Sequence, residues 1–212
     1  MNKRTAFFQT CLGVFQGGGC RAAAFAGAYA EAVSRGVHFA EVAGTSAGAI
    51  AASLIGAGAT PEQLEYLISG LNFKALLVKP EGPAFPPRHA LWLKALLGCL
   101  SPTPLGTYIP FFSFLGLHSS REIDSWVNDK LCDLLGGRRR RVVFADLVLP
   151  TWIVATDLKT REAKVWSNHL TPNEDVASAV RASCSIPFFF QPTQSRYVDG
   201  GALSNLPSFV YT

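Results

Sequence analysis

Between a short apolar run, Phe39 to Ala43, and a long run of small residues, Ala47 to Ala59, the chain reads Gly44-Thr45-Ser46-Ala47-Gly48, a G-x-S-x-G pattern. No other stretch restricts the fold as much. The first run has the length and apolarity of a buried strand. The second holds nine alanine, leucine and isoleucine residues and little that would stop a helix before Gly56. Ser46 is thereby expected at a strand-to-helix turn. A turn that tight leaves no room for side chains two residues either side of the serine, so both positions are glycine. The hydroxyl then projects at the positive end of a helix. The same pattern also describes a small-residue turn that packs a helix closely on a sheet.

Upstream, Thr10 to Gln16 reads as a strand that runs into Gly17-Gly18-Gly19-Cys20-Arg21-Ala22, and Ala22 to Ser34 as an alanine-rich helix. Glycines at a helix start leave backbone N–H groups unobstructed, which suits an anion or a developing oxyanion. Two readings compete. Gly17-x-Gly19-x-x-Ala22 satisfies a relaxed dinucleotide fingerprint, and Glu41 lies about twenty residues on, near where a ribose-binding acid is expected. That acid should close the second strand, however, whereas Glu41 precedes Val42-Ala43 and the strand runs on to Gly44. In the other reading the Gly17, Gly18 and Gly19 amides form an oxyanion hole on the strand beside the one that presents Ser46.

Further along, Thr60-Pro61-Glu62-Gln63 is a capping box that starts a helix through about Leu71. Phe73 to about His118 carries most of the prolines and many large apolar residues, Phe111, Phe112 and Phe114 among them. It is expected to be an inserted cap, either membrane-facing or an irregular part of the core. Ser119-Ser120-Arg121-Glu122 offers another capping box, for a helix that Gly136-Gly137 ends. The arginine run Arg138 to Arg141 reads as a solvated connection, or as a contact for anionic headgroups. Val142 to Leu147 and Thr151 to Thr156 look like strands, with Ala163 to Ser167 as a hairpin partner, and Thr171-Pro172-Asn173-Glu174 caps a helix through about Ser183. Asp199 follows Tyr197-Val198 and precedes Gly200-Gly201. That puts it on a sharp turn at a strand end, where a sheet places catalytic groups or where an Asx-turn closes a hairpin.

Composition narrows the partners. A chain of 212 residues with 49% hydrophobic and 16% charged residues fits one domain, 1–212, with a sizeable core. The net charge of +4 comes partly from the arginine run and lacks interleaved aromatics, so nucleic acid is set aside. Five cysteines without C-x-x-C spacing indicate neither a disulfide framework nor a metal site, and a reducing, cytoplasmic setting is expected. The N-terminal apolar run is broken by Gln9, Thr10 and Gln16 and reads as the first strand, not a signal peptide. Ala95 to Leu117 is long enough to span a bilayer, but Pro102, Pro104 and Pro110 with its glycines argue against it.

Taken in order, Gly17-Gly18-Gly19-Cys20-Arg21, Gly44-Thr45-Ser46-Ala47-Gly48-Ala49 and Asp199-Gly200-Gly201 followed by Asn205-Leu206-Pro207 resemble the patatin-like phospholipases. The resemblance extends to Val154-Ala155-Thr156-Asp157 and Ala177 to Pro187, nearly the whole chain apart from the cap. It implies a three-layer α/β/α domain around a largely parallel sheet and a Ser46–Asp199 dyad in place of a triad. The implied activity is hydrolysis of acyl esters in phospholipids at a membrane surface, without metal or cofactor. Arg21, Gly44, Gly48, Gly200 and Gly201 would support the site. Ala22 stands where the family carries glycine. The chain stops thirteen residues after Asp199, where the family normally supplies another strand and helix, so a C-terminal module or regulator is a further expected partner. Two rivals stay open: a Ser-His-Asp esterase using one of His38, His89, His118 or His169, and a noncatalytic nucleotide-binding module built on the glycine loop.

Overall fold

The computed structural model describes residues 10–71, 77–79, 116–137 and 140–212. Strand β1 (Thr10–Phe15) leads through the glycine loop and a 3-10 turn (Gly19–Ala22) into α1 (Ala23–Ser34). Strand β2 (His38–Thr45) then leads through Ser46 into α2 (Ala47–Gly56). Each unit is strand, tight turn, helix, as the switch from an apolar run to small residues requires. β1 pairs with β2 and β2 with β4 (Thr151–Asp157), all parallel, and the connections between them carry the helices that parallel crossovers need.

Two antiparallel strands complete the sheet. β5 (Glu162–Ser167) returns along β4 from the Trp152–Ser167 pair to the Asp157–Glu162 pair and so fills one edge of β4. β2 and β7 (Tyr197–Asp199) must therefore share the other edge. β2 holds it up to the Thr45–Val154 pair, and β7 takes over with the Ala155–Asp199 pair. The end of β2 thus meets the end of β7, and Ser46 and Asp199 arrive at one point from opposite directions.

Helices flank this central, mostly parallel sheet. Every residue of α2 is buried, and it packs on β1, β2 and β4. Its small residues permit a very close approach: a methyl group at Gly48 would lie 2.1 Å from the Phe15 carbonyl oxygen, and one at Gly44 2.1 Å from that of Gly48. The sheet contributes Phe15, Val42, Ile153, Ala155 and Trp166 to the hydrophobic core. α5 (Val176–Ser183) packs on β4, β7 and α2, and α4 (Arg121–Leu134) lies over α5 and α2. α3 (Pro61–Ser69) packs on α1 behind the expected Thr60–Gln63 capping box, both of whose hydrogen bonds form. On the other face of the sheet the Tyr211 ring packs against Trp152 and its hydroxyl donates to the Gly13 carbonyl at 3.5 Å.

Several local expectations are corrected. Val142 to Leu147 is no strand: the Asp146 carboxylate accepts the Val143 N–H at 3.0 Å and turns the chain into a 3-10 helix, Phe144–Asp146. α5 starts one turn later than Thr171 would start it. Asp175 is its cap, accepting from Ser178 N–H, while the Thr171 hydroxyl oxygen accepts from Ser167 N–H at 3.0 Å. The box expected at Ser119–Glu122 is shifted: α4 starts at Arg121 with Ser120 before it, the Ser120 hydroxyl pairs with that of Ser185 at 3.1 Å, and the Ser119 hydroxyl oxygen accepts from the Arg121 N–H at 3.2 Å. Gly137 ends α4 as expected, with φ 75° and its N–H on the Cys132 carbonyl.

Two of the four arginines in the run, Arg140 and Arg141, are solvent-exposed and also tethered by ion pairs. Arg140 pairs with Asp146 at 2.7 Å. Arg141 reaches Asp124 of α4 at 2.7 and 3.0 Å and Asp175 of α5, and these partners raise its already high pKa, the Asp124 hydrogen bond foremost. Most of the cap, including Phe111, Phe112 and Phe114, lies outside the described residues. Its end does not: β3 (Gly116–His118) pairs in parallel with β6 (Phe188–Phe190) as a small second sheet. No described helix is long and apolar enough to cross a membrane.

Candidate active site

Ser46 stands between β2 and α2 with φ 54° and ψ −124°, a backbone conformation that non-glycine residues rarely adopt. Both polar groups of its backbone are held from the end of α5. The Ser46 N–H donates to the Ser183 hydroxyl at 2.8 Å, and Ser183 donates in turn to the Val154 carbonyl at 2.6 Å. The Cys184 thiol donates to the Ser46 carbonyl at 3.2 Å. Burial, with the charge of Asp199 nearby, pushes that thiol well above its ordinary pKa, so it stays a donor. Strain at the turn is therefore over-determined by its surroundings, which is how such a conformation persists.

Ser46 lies close enough to the Asp199 carboxylate for its side chain to lower the carboxyl pKa. The Gly201 N–H donates to Asp199 Oδ1 at 2.7 Å, and the Asp199 N–H donates to the Ser185 carbonyl at 2.8 Å. Gly200 presses on β4, where a methyl group would lie 2.4 Å from the Val154 carbonyl oxygen. Asp199 is 6% exposed, and burial raises its carboxyl above the usual carboxylate range; the Ser46 side chain and the Gly201 N–H offset only part of the rise. A buried carboxylate with a raised pKa beside a hydroxyl is disposed to accept its proton.

The glycine loop lies against the same turn. The Gly17 N–H is committed to the Asn205 carbonyl at 2.9 Å, so the expectation that Gly17 donates to an oxyanion is corrected: it anchors the loop. Gly18 and Gly19 are the loop's remaining glycines. Gly19 takes φ 55°, and the space where its side chain would stand is open. Arg21 falls in the 3-10 turn that follows. Ala22, at the position expected to hold glycine, is buried, and its methyl group helps line a cavity of about 270 Å³ that opens beside Ser46. The rest of the wall is apolar, with Ile50 from α2, Ile68 from α3, Ile123 from α4 and Phe189 and Phe190 from β6. A site of this kind suits an alkyl chain.

Neither rival gains support from the geometry. Glu41 does not close β2; its carboxylate accepts from the Trp152 indole N–H at 2.7 Å on the sheet surface, away from the glycine loop. His38 opens β2, at the end of the strand opposite Ser46. His118 packs on Phe189 and Phe190, His169 stacks on Trp152, and His89 lies outside the described residues. Sequence reasoning had no role for Ser183, Cys184 or Asn205. They occur within stretches that carry the family resemblance, but a small polar residue at the end of an alanine-rich helix has no spacing that announces a contact with Ser46.

A family model for patatin-like phospholipase matches residues 13–209. The uncharacterized protein YqhO of Bacillus subtilis (strain 168) is 35% identical over 216 residues, which cover 94% of this chain and 66% of YqhO. Among solved structures, VipD from Legionella pneumophila matches with a TM-score of 0.59 at 18% identity, over 95% of this chain and 47% of VipD. The type III effector ExoU matches with a TM-score of 0.52 at 21% identity, over 85% of this chain and 40% of ExoU. At such identities these two likenesses speak for the fold alone. The chain spans about two thirds of the length of YqhO and less than half of VipD and of ExoU. With its family match running from the first strand to the last turn, the chain belongs to the patatin-like phospholipase family.

Proposed function

We propose that this chain is a lipid acyl hydrolase of the phospholipase A type, working through a Ser46–Asp199 dyad. One observation carries the reading: Ser46 lines an apolar cavity and its side chain lies close enough to the buried Asp199 carboxylate to lower its pKa. Asp199 takes the proton as Ser46 Oγ attacks the ester carbonyl. Gly18 and Gly19 amides receive the oxyanion, and the acyl chain occupies the cavity between α2, α3 and α4. Collapse of the tetrahedral intermediate breaks the ester bond, leaves the acyl group on Ser46 and returns the proton to the departing alcohol or lysophospholipid. Water, deprotonated by Asp199, then releases the fatty acid. Family membership and an apolar cavity beside the serine together support a membrane lipid as substrate, met at the surface of the bilayer.

The test is mass spectrometry of products from mixed phospholipid vesicles, with Ser46→Ala as control. Fatty acid and lysophospholipid should appear with the native chain and not with the variant, and a fluorophosphonate should label the native chain alone. Labelling that persists in Ser46→Ala would assign the nucleophile elsewhere.

A further inference from the structure

We propose that Asn205 is a positioning residue that locks the Gly17–Gly18 peptide so that the Gly18 N–H faces the reacting carbonyl; this rests on the oxyanion role given to Gly18 above. Asn205 takes both backbone polar groups of Gly17. Its carbonyl accepts the Gly17 N–H at 2.9 Å, and its side-chain Nδ2 donates to the Gly17 carbonyl at 3.1 Å. The second bond is the informative one. The Gly17 carbonyl and the Gly18 N–H belong to one planar trans peptide and point in opposite directions. Holding the carbonyl toward Asn205 therefore aims the Gly18 N–H away from it. Glycines on either side of a peptide offer no steric resistance to its flipping, so an outside partner must fix the plane.

The same side chain ties the loop to the rest of the site. A methyl group at Gly17 would lie 2.3 Å from Asn205 Oδ1 and 3.3 Å from Ser46 Cβ, and one at Gly201 would lie 3.1 Å from that same Oδ1. Asn205 thus sits between the glycine loop and the turn whose Gly201 N–H holds Asp199. The segment is anchored independently of its side chain, since the Thr45 hydroxyl donates to the Ser204 carbonyl at 3.3 Å. Asn205 is itself exposed, so its replacement removes no core packing.

The variants are Asn205→Leu, close in shape but without a donor, and Asn205→Asp, whose carboxylate repels the Gly17 carbonyl. On a soluble short-chain ester, each should lose about tenfold to hundredfold in kcat, the scale of a misaimed catalytic group, with KM within about twofold. In Asn205→Leu the acid limb of the pH profile should stay where Asp199 sets it, and the melting temperature should hold. In amide-resolved NMR the Gly18 resonance should move while those of α2 do not. Unchanged kcat with an unmoved Gly18 resonance would overturn the proposal. So would a loss of turnover accompanied by a lower melting temperature, or by a shifted acid limb, because either would place the effect in the fold or in Asp199. Should the native chain hydrolyse no ester, the functional reading fails, and the Gly18 resonance still decides whether Asn205 fixes that peptide.

Discussion

At Ser46 the side chain and the backbone make opposite demands. The proposed chemistry requires a hydroxyl, which requires a Cβ, yet φ 54° is a conformation in which a Cβ is strained by about 1–3 kcal/mol. The two demands separate experimentally. Ser46→Gly and Ser46→Ala should both be inactive, but Ser46→Gly should be more stable than Ser46→Ala by about 1 kcal/mol in thermal or urea unfolding. Equal stabilities would mean that the strain is no larger than the extra chain entropy glycine loses on folding. Asp199 makes a second residue-scale prediction. Because burial holds its carboxyl above the usual carboxylate range, kcat/KM should fall as the pH drops through a single ionisation that lies above the ordinary value. Its base role needs the ionised form, so the sign is loss toward acid. Asp199→Asn should remove that limb together with nearly all activity.

Among the elements, α2, α3 and α4 each contribute one isoleucine to the wall of the cavity, Ile50, Ile68 and Ile123. A larger side chain on α4 narrows the space without touching the turn at Ser46. Ile123→Phe should therefore shift the preference among p-nitrophenyl esters toward shorter acyl chains, leaving the acetate rate within about threefold. A uniform fall across chain lengths would mean that the acyl group lies elsewhere. The end of α5 matters differently. Ser183 is fully buried and stands between the Ser46 N–H and the Val154 carbonyl, so Ser183→Ala leaves both without their partner. The expected cost is about 1–3 kcal/mol of stability with a fall in turnover, read by urea unfolding beside ester hydrolysis.

Across the whole molecule, the strand that carries Asp199 is fastened at its start by Asp157, the last residue of β4. Its carboxylate accepts from Arg196 Nε at 2.8 Å and from the Lys159 N–H at 2.9 Å, and Arg196 foremost holds its pKa down to about 2. A depressed carboxylate contributes stability that is present above its unfolded pKa of about 3.9 and is lost as the pH falls through the folded value. Asp157→Asn should therefore be less stable than the native chain at pH 7, and the two should converge as the pH approaches about 2. A difference that persists undiminished to that pH would show that the pair is not what Asp157 contributes. Much of this organisation was legible in the residues themselves. The two strand-turn-helix units, the glycines around Ser46, the capping box at Thr60 and the strand-end position of Asp199 each follow from local sterics, periodicity or turn chemistry, which act over a few residues. Other features depended on partners far along the chain. Thr171 was available as a cap but found another hydrogen-bond partner, Gly17 spent its amide on Asn205, and Arg141 bridged two helices. That Ser46 meets Asp199 was decided by β2 and β7 sharing one edge of β4, a register between segments more than 150 residues apart in a chain of 212. The sequence by itself determined which residues are candidates for the chemistry, because their turns are local; only the tertiary structure decided that they stand together, because strand pairing is set by long-range packing.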